Sequence, residues 1–126
     1  MKSRAIIVDQ RGATAVEFAL TLPIFTAAVF GAIQIGLLLW TQLGMQNGVE
    51  AAARCASVNA ILCPNAASVQ NYAAQHALGL NLPASTFSAA KPGCGNQVSA
   101  SYTYPLISNN FPATSLTLRA QSCFPI

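Results

Sequence analysis

The sequence predicts an α+β chain. A long N-terminal transmembrane helix continues into a small exported domain with a short helix and a C-terminal antiparallel β-hairpin or small sheet. Three observations predict this. The run from Phe18 to Trp40 carries no Asp, Glu, Lys, Arg or His. A second, shorter helical pattern follows Asn65. From Val98 onward apolar and polar residues alternate with the period of a strand.

Composition narrows the function classes. Of 126 residues, 53% are hydrophobic and only 7% are charged, against roughly 25% charged in an ordinary soluble domain. A freely soluble globular protein is therefore not expected. Six Lys and Arg, scattered along the chain with a net charge of +3, are too few to neutralise a row of phosphates, so no nucleic-acid partner is expected.

The 23 residues from Phe18 to Trp40 would make a helix about 34 Å long at about 1.5 Å per residue. A bilayer core is about 30 Å thick, so the run can span it with a slight tilt. Its polar interruptions are Thr21, Thr26 and Gln34. The remaining chain is too small and polar to wrap such a helix as a soluble core. A secretory signal would have an apolar region of roughly 7–15 residues ending at small residues; here apolar sequence continues well past Thr26-Ala27-Ala28. Lys2, Arg4 and Arg11 precede the span, opposed only by Asp9, and the next basic residue is Arg54. Positive charge stays cytoplasmic, so the N-terminus is read as inside and the later residues as exported. Cys55, Cys63, Cys94 and Cys123 then all lie on the oxidising side.

Beyond the span, Thr41 to about Ala60 is expected to continue the helix. Gly44 and Gly48 weaken it, but their spacing permits close helix contact. Glu50 and Arg54 stand at i,i+4, the spacing of a helical ion pair. Pro64 breaks the chain, and Asn65 is placed to cap a helix over Ala66–Leu78 that Gly79 would stop. Val69, Tyr72, Ala73, His76 and Leu80 form its apolar stripe, with His76 read as a packing residue rather than a ligand. Leu82 to Gly95, rich in Pro, Gly, Ser and Asn, is expected to be loop. Val98, Ala100, Tyr102 and Tyr104 alternate against Ser99, Ser101 and Thr103, and Leu116, Leu118 and Ala120 against Thr117 and Arg119. Pairing Tyr102 with Leu116, Ala100 with Leu118 and Val98 with Ala120 would bring both apolar faces together.

Four cysteines allow three pairings. Cys55 and Cys63 are close in sequence, and the proposed register brings Cys94 within one position of facing Cys123. Those two bridges are favoured over the alternatives. No Cys-x-x-Cys occurs, so neither a metal nor another cofactor is expected. No nucleophile–base–orienter set and no glycine-rich phosphate loop is recognisable, so neither catalysis nor a small-molecule substrate is expected.

The junction before the span is the most informative stretch: Arg11-Gly12-Ala13-Thr14-Ala15-Val16-Glu17-Phe18. A basic leader ends in glycine, and a lone glutamate follows at the edge of the apolar run. A carboxylate at the centre of a membrane helix costs about 2.5–3.5 kcal/mol on insertion scales, and less near the ends. By charge alone, Glu17 either serves a function or simply snorkels to the headgroups.

This junction resembles the processing site of type IV pilin-like proteins. The wider run through Ala19-Leu20 to Leu22-Pro23 is similar to the TadE/TadG branch, the minor pseudopilins of tight-adherence (Flp-type) pili. Val49-Glu50-Ala51-Ala52-Ala53-Arg54-Cys55-Ala56 and Val98–Leu106 with its Tyr104-Pro105 ending add weaker resemblances to the same branch. The chain departs from classical pilins in placing Ala13 where they usually carry an aromatic.

The resemblance implies cleavage between Gly12 and Ala13 by a prepilin peptidase. That makes residues 1–12 a leader, 13–40 a transmembrane and assembly helix, and 41–126 an exported disulfide-bonded domain. Glu17 becomes the fifth mature residue, able to pair with the new amine of a neighbouring subunit. Phe18 lies beside it in the assembly segment, and Pro23 can kink the helix. Ala28, Ala32 and Gly36, at i, i+4 and i+8, offer a smooth stripe for helix packing. The implied role is structural: a subunit supporting surface adhesion, resident in the bacterial inner membrane or in a surface pilus. Its partners would be the membrane, the peptidase, other pilin-like subunits and the assembly platform. The alternative is an uncleaved, membrane-anchored exported binding module outside any filament.

The junction generates a direct expectation. Gly12→Leu should leave a longer, membrane-retained precursor on immunoblots of the producing cell. Processing of that variant as efficient as the native chain's would show that the junction has been misread.

Overall fold

The computed structural model describes residues 10–106 and 115–126. The elements are helix α1 (Gln10–Val58), helix α2 (Ala66–Gln75), a 3₁₀ turn (Ala84–Thr86) and strands β1 (Phe87–Ala90), β2 (Asn96–Pro105) and β3 (Ser115–Phe124). This is the α+β class expected. Leader residues Lys2, Arg4 and Asp9 lie outside the described residues. The chain divides into two units, one up to Ile35 and one from Gly36 onward.

The first unit contains the N-terminal part of α1. From Gly12 to Ile33 every residue is exposed. The helix runs unbroken through Pro23.

The second unit is a three-stranded antiparallel sheet, ordered β1-β2-β3, with helices on one face. The core joins Met45, Val49, Ala52 and Ala53 of α1, Val69 and Ala73 of α2, and Phe87, Val98, Ala100, Leu118 and Ala120 of the sheet. Small residues dominate the helical contributions, so backbones lie close. A Cβ on Gly48 would stand 2.7 Å from the Ala73 carbonyl oxygen and 3.4 Å from the Phe87 ring. One on Gly44 would stand 2.8 Å from the Ala77 carbonyl oxygen and would collide with Leu80. At these two glycines α1 closely approaches α2 and the residues that follow it.

Several local expectations are corrected. The helix after Pro64 ends at Gln75 rather than Leu78. The His76 backbone N–H closes the last turn onto Tyr72 and Ala73, and its Nδ1 lies 2.8 Å from the Tyr72 carbonyl oxygen. Asn65 caps the start as expected: its side chain accepts from the Ser68 N–H at 2.9 Å, and the Ser68 hydroxyl accepts from the Asn65 N–H at 3.2 Å. His76 is exposed and stacks on Tyr72 with ring centroids 3.9 Å apart; it does not face the core.

Part of the expected loop from Leu82 to Gly95 is the strand β1. Its Phe-Ser-Ala-Ala sequence carries little strand signal, since Ala is depleted in strands. One residue anchors it: Phe87 is 1% exposed. Ser88 and Ser99 share a hydroxyl hydrogen bond of 2.7 Å across the pair.

The β2–β3 register is two residues from the one expected. Tyr102 pairs with Leu118, Ala100 with Ala120 and Val98 with Ser122. A shift of two keeps every side chain on its face, so alternation alone cannot separate the two registers. The end of the pair where β2 begins and β3 finishes distinguishes them. Gly95 adopts φ +123°, and a Cβ there would collide with the Phe124 carbonyl oxygen. Only glycine fits that approach, which sets Asn96 opposite Phe124.

Cys55 is bonded to Cys63 and Cys94 to Cys123. The first pair belongs to the buried core, whereas Cys94 is exposed and Cys123 half-buried.

Two outcomes follow for the full chain in detergent micelles. Gly48→Val should lower stability by about 1–3 kcal/mol through overpacking against backbone, read as a lower unfolding midpoint. Gly93→Ala, whose Cβ would meet nothing within 4 Å, should be near neutral. Equal effects would contradict the close approach of α1 to α2. Under graded reductant, alkylation with mass mapping should label Cys94 and Cys123 before Cys55 and Cys63. Losing either bridge typically costs about 2–5 kcal/mol in a small exported domain.

Candidate functional site

The residues singled out for assembly lie along the apolar part of α1. Val16, Phe18, Leu20, Ile24, Phe25 and Phe30 are each at least 60% exposed. They point in all directions around the helix, since no apolar stripe of a core-facing helix separates them. Such a surface is stable only against lipid or other apolar helices.

The backbone and hydroxyl chemistry of this stretch suits that surrounding. Thr21 Oγ1 donates to the Glu17 carbonyl at 3.0 Å and the Phe18 carbonyl at 3.2 Å. Thr26 Oγ1 donates to the Leu22 and Pro23 carbonyls, each at 3.0 Å. Both hydroxyls are thereby satisfied within the helix. Pro23 has no N–H, so the carbonyl of Ala19 lacks its usual donor.

Gly12 and Ala13 are exposed, and a Cβ at Gly12 would meet nothing within 4 Å. Glu17 is exposed four residues after Ala13, and among the described residues its carboxylate has no partner. Phe18 and Pro23 are exposed beside it. Ala28, Ala32 and Gly36 are exposed as well, and a Cβ at Gly36 would also be in open space. The four cysteines belong to the second unit and take no part in this surface.

In the second unit, the polar groups act as fasteners. Gln42 Nε2 donates to the Arg119 carbonyl at 2.9 Å, and Asn47 Nδ2 to the His76 carbonyl at 2.7 Å. Buried Asn96 donates through Nδ2 to the Ala56 carbonyl and to Ser57 Oγ. Glu50 and Arg54 do not form the expected ion pair. Glu50 accepts from Gln46 Nε2 at 2.8 Å, and the Arg54 guanidinium sits 5.5 Å from the centre of the Phe124 ring. Sequence spacing shows neither Gln42–Arg119 nor Arg54–Phe124, because both join distant segments. A cavity of about 330 Å³ between α2 and the end of β1 includes Asn65, Val69, Lys91, Asn96 and Gln97 in its lining. Lys91 is its one ionisable side chain, so the cavity offers no acid–base pair.

The family model described as TadE-like protein matches residues 12–54. Residues 12–54 are similar to TadE-like proteins. The matched stretch begins at Gly12 and takes in Glu17, Pro23 and the glycine pair that contacts α2. No curated protein and no solved structure gives a match. TadE-like proteins are components associated with Tad pili, a structural rather than a catalytic family. Among the described residues the chain has one helix long and apolar enough to cross a bilayer, which fits a single-pass membrane protein of a pilus system.

Proposed function

We propose that this chain is a minor pilin-like subunit of a tight-adherence pilus, with a structural role in surface adhesion. A prepilin peptidase cuts between Gly12 and Ala13. Residues 13–40 hold the product in the inner membrane, with residues 41–126 on the exported side as a disulfide-bonded head. The assembly platform and other pilin-like subunits then take it up.

One observation carries this reading: Glu17, a carboxylate with no partner among the described residues, at the edge of the stretch of α1 that is exposed from Gly12 to Ile33. Cleavage creates an ammonium on Ala13, about 6 Å from Glu17 along the helix axis. In a bundle of staggered helices the carboxylate of one subunit meets the ammonium of the next. An unpaired charge in such a bundle is strongly penalised, so the pair fixes axial register more than it adds stability. The start of the family match at residue 12 supports the same boundary.

The test uses the native and Glu17→Ala chains together. Mass spectrometry of the mature N-terminus should find Ala13 first in both, because Gly12 is unchanged. Membrane insertion of Glu17→Ala should be equal or better, since a costly carboxylate is gone. Its co-purification with pilin-like partners should fall sharply, and Glu17→Gln should behave similarly, because shape is kept and charge lost. An intact Met1 on the native protein would instead favour an uncleaved anchored module. Normal incorporation of cleaved Glu17→Ala would reject the pairing.

A further inference from the structure

We propose that the cavity between α2 and the end of β1 binds the carboxyl-terminal residue of a peptide, through its amide N–H, an aliphatic side chain and a free carboxylate. The inference rests on neither the membrane placement of α1 nor its processing. The cavity measures about 330 Å³, within the range of about 300–1,000 Å³ typical of ligand sites. The decisive group is the side-chain amide of Asn96, which lines the cavity and is only 6% exposed. Its Nδ2 donates to the Ala56 carbonyl at 3.2 Å and to Ser57 Oγ at 3.0 Å. A carbonyl only accepts, so the nitrogen must take that position and the amide is held one way round. Oδ1 accepts no hydrogen bond among the described residues. Yet among them no side-chain oxygen or nitrogen is both sealed from solvent and unpartnered, so Oδ1 opens onto the cavity. An acceptor fixed in a buried residue and left open there calls for a donor.

The surroundings select the rest of the ligand. Val69, Ala89 and Val98 supply an apolar wall, which suits an aliphatic side chain. Lys91 is the one ionisable side chain in the lining, and no carboxylate of the described residues joins it, so the charge favours an anion. Extending the register Ala89↔Val98 and Ala90↔Gln97 by one sets Lys91 beside Asn96. The lining also includes Asn65 and Ala66 at the start of α2. The Asn65 side chain takes the Ser68 N–H, and the first-turn N–H groups of Ala66 and Ala67 have no acceptor within the helix. A peptide's last residue carries its N–H, its side chain and its carboxylate on one Cα, which is the combination these groups match. Backbone N–H groups capture such carboxylates in other recognition sites. A free amino acid would instead bring an ammonium, whose desolvation beside Val69 and Val98, close to the charge of Lys91, costs more than that of an amide N–H.

The experiment is fluorescence anisotropy on the full chain in detergent micelles, with labelled Gly-Ser-Ala-Leu bearing a free carboxylate and empty micelles as the blank. Saturable binding is expected. Amidating the peptide's carboxyl end should weaken it about tenfold, the scale of one charge-assisted hydrogen bond. Lys91→Met should weaken it about fivefold, because Lys91 is exposed and its charge is partly screened. Ala89→Leu should abolish it by filling the cavity, and an unfolding midpoint shows whether that variant keeps its fold; the exposed Lys91→Met carries the test if it does not. Unlabelled N-acetyl-leucine should compete, and free leucine should not. Lack of saturable binding, equal affinity for acid and amide, or undiminished binding by Lys91→Met or by folded Ala89→Leu would each overturn the proposal. Competition by free leucine as strong as that by N-acetyl-leucine would overturn the peptide end as the occupant.

Discussion

The governing constraint is that a backbone polar group in an apolar surrounding must find its partner within its own chain. Nothing in the described structure covers the helix from Gly12 to Ile33. An unbroken helix is the conformation that answers this for a single segment in lipid. The same requirement explains the side chains. Thr21 and Thr26 are tolerated because their hydroxyls fold back onto carbonyls of the preceding turn. The Glu17 carboxylate does not fold back and is conspicuous for that reason.

From Thr41 onward the same helix answers a different requirement. Thr41, Met45, Val49 and Ala52 are buried, while Glu50 and Arg54 remain exposed, so the surface becomes one-sided as in an ordinary domain helix. The switch needs no break in α1. It needs a face of small residues, supplied by Gly44, Gly48, Ala52 and Ala53, and large partners opposite, chiefly Phe87. A domain of this size has few large apolar side chains to bury. Close backbone approach and two disulfides make up for that scarcity.

The sequence displays most clearly what depends on composition and local chemistry. The uncharged run, the Asn65 cap and the glycine spacing were all legible, as was the α+β class. The junction from Arg11 to Phe18 was legible through its resemblance to a processing site. What was obscure depends on distant contacts. Strand β1 exists because Phe87 is buried beneath α1 and because β2 offers it an edge, neither of which its own four residues announce. The β2–β3 register escaped because a shift of two preserves the alternation, and the deciding contact, Gly95 against Phe124, is between the two ends of the pair. Arg54 was assigned to Glu50 by spacing, yet the Phe124 ring comes to it from strand β3, distant in sequence.

Phe124 and its neighbours also impose an order of events. Strand β3 supplies Leu118 and Ala120 to the core, and Cys123 closes onto Cys94. A chain synthesised from its N-terminus exposes Met45 and Val49 long before these residues exist. The bridge between Cys55 and Cys63 needs only the end of α1 and the turn that follows, so its partners meet early. The second bridge waits for Cys123, 29 residues after Cys94. The head domain is thus completed only once β3 has emerged, and the interval before then leaves the core face of α1 dependent on whatever shelters nascent chains.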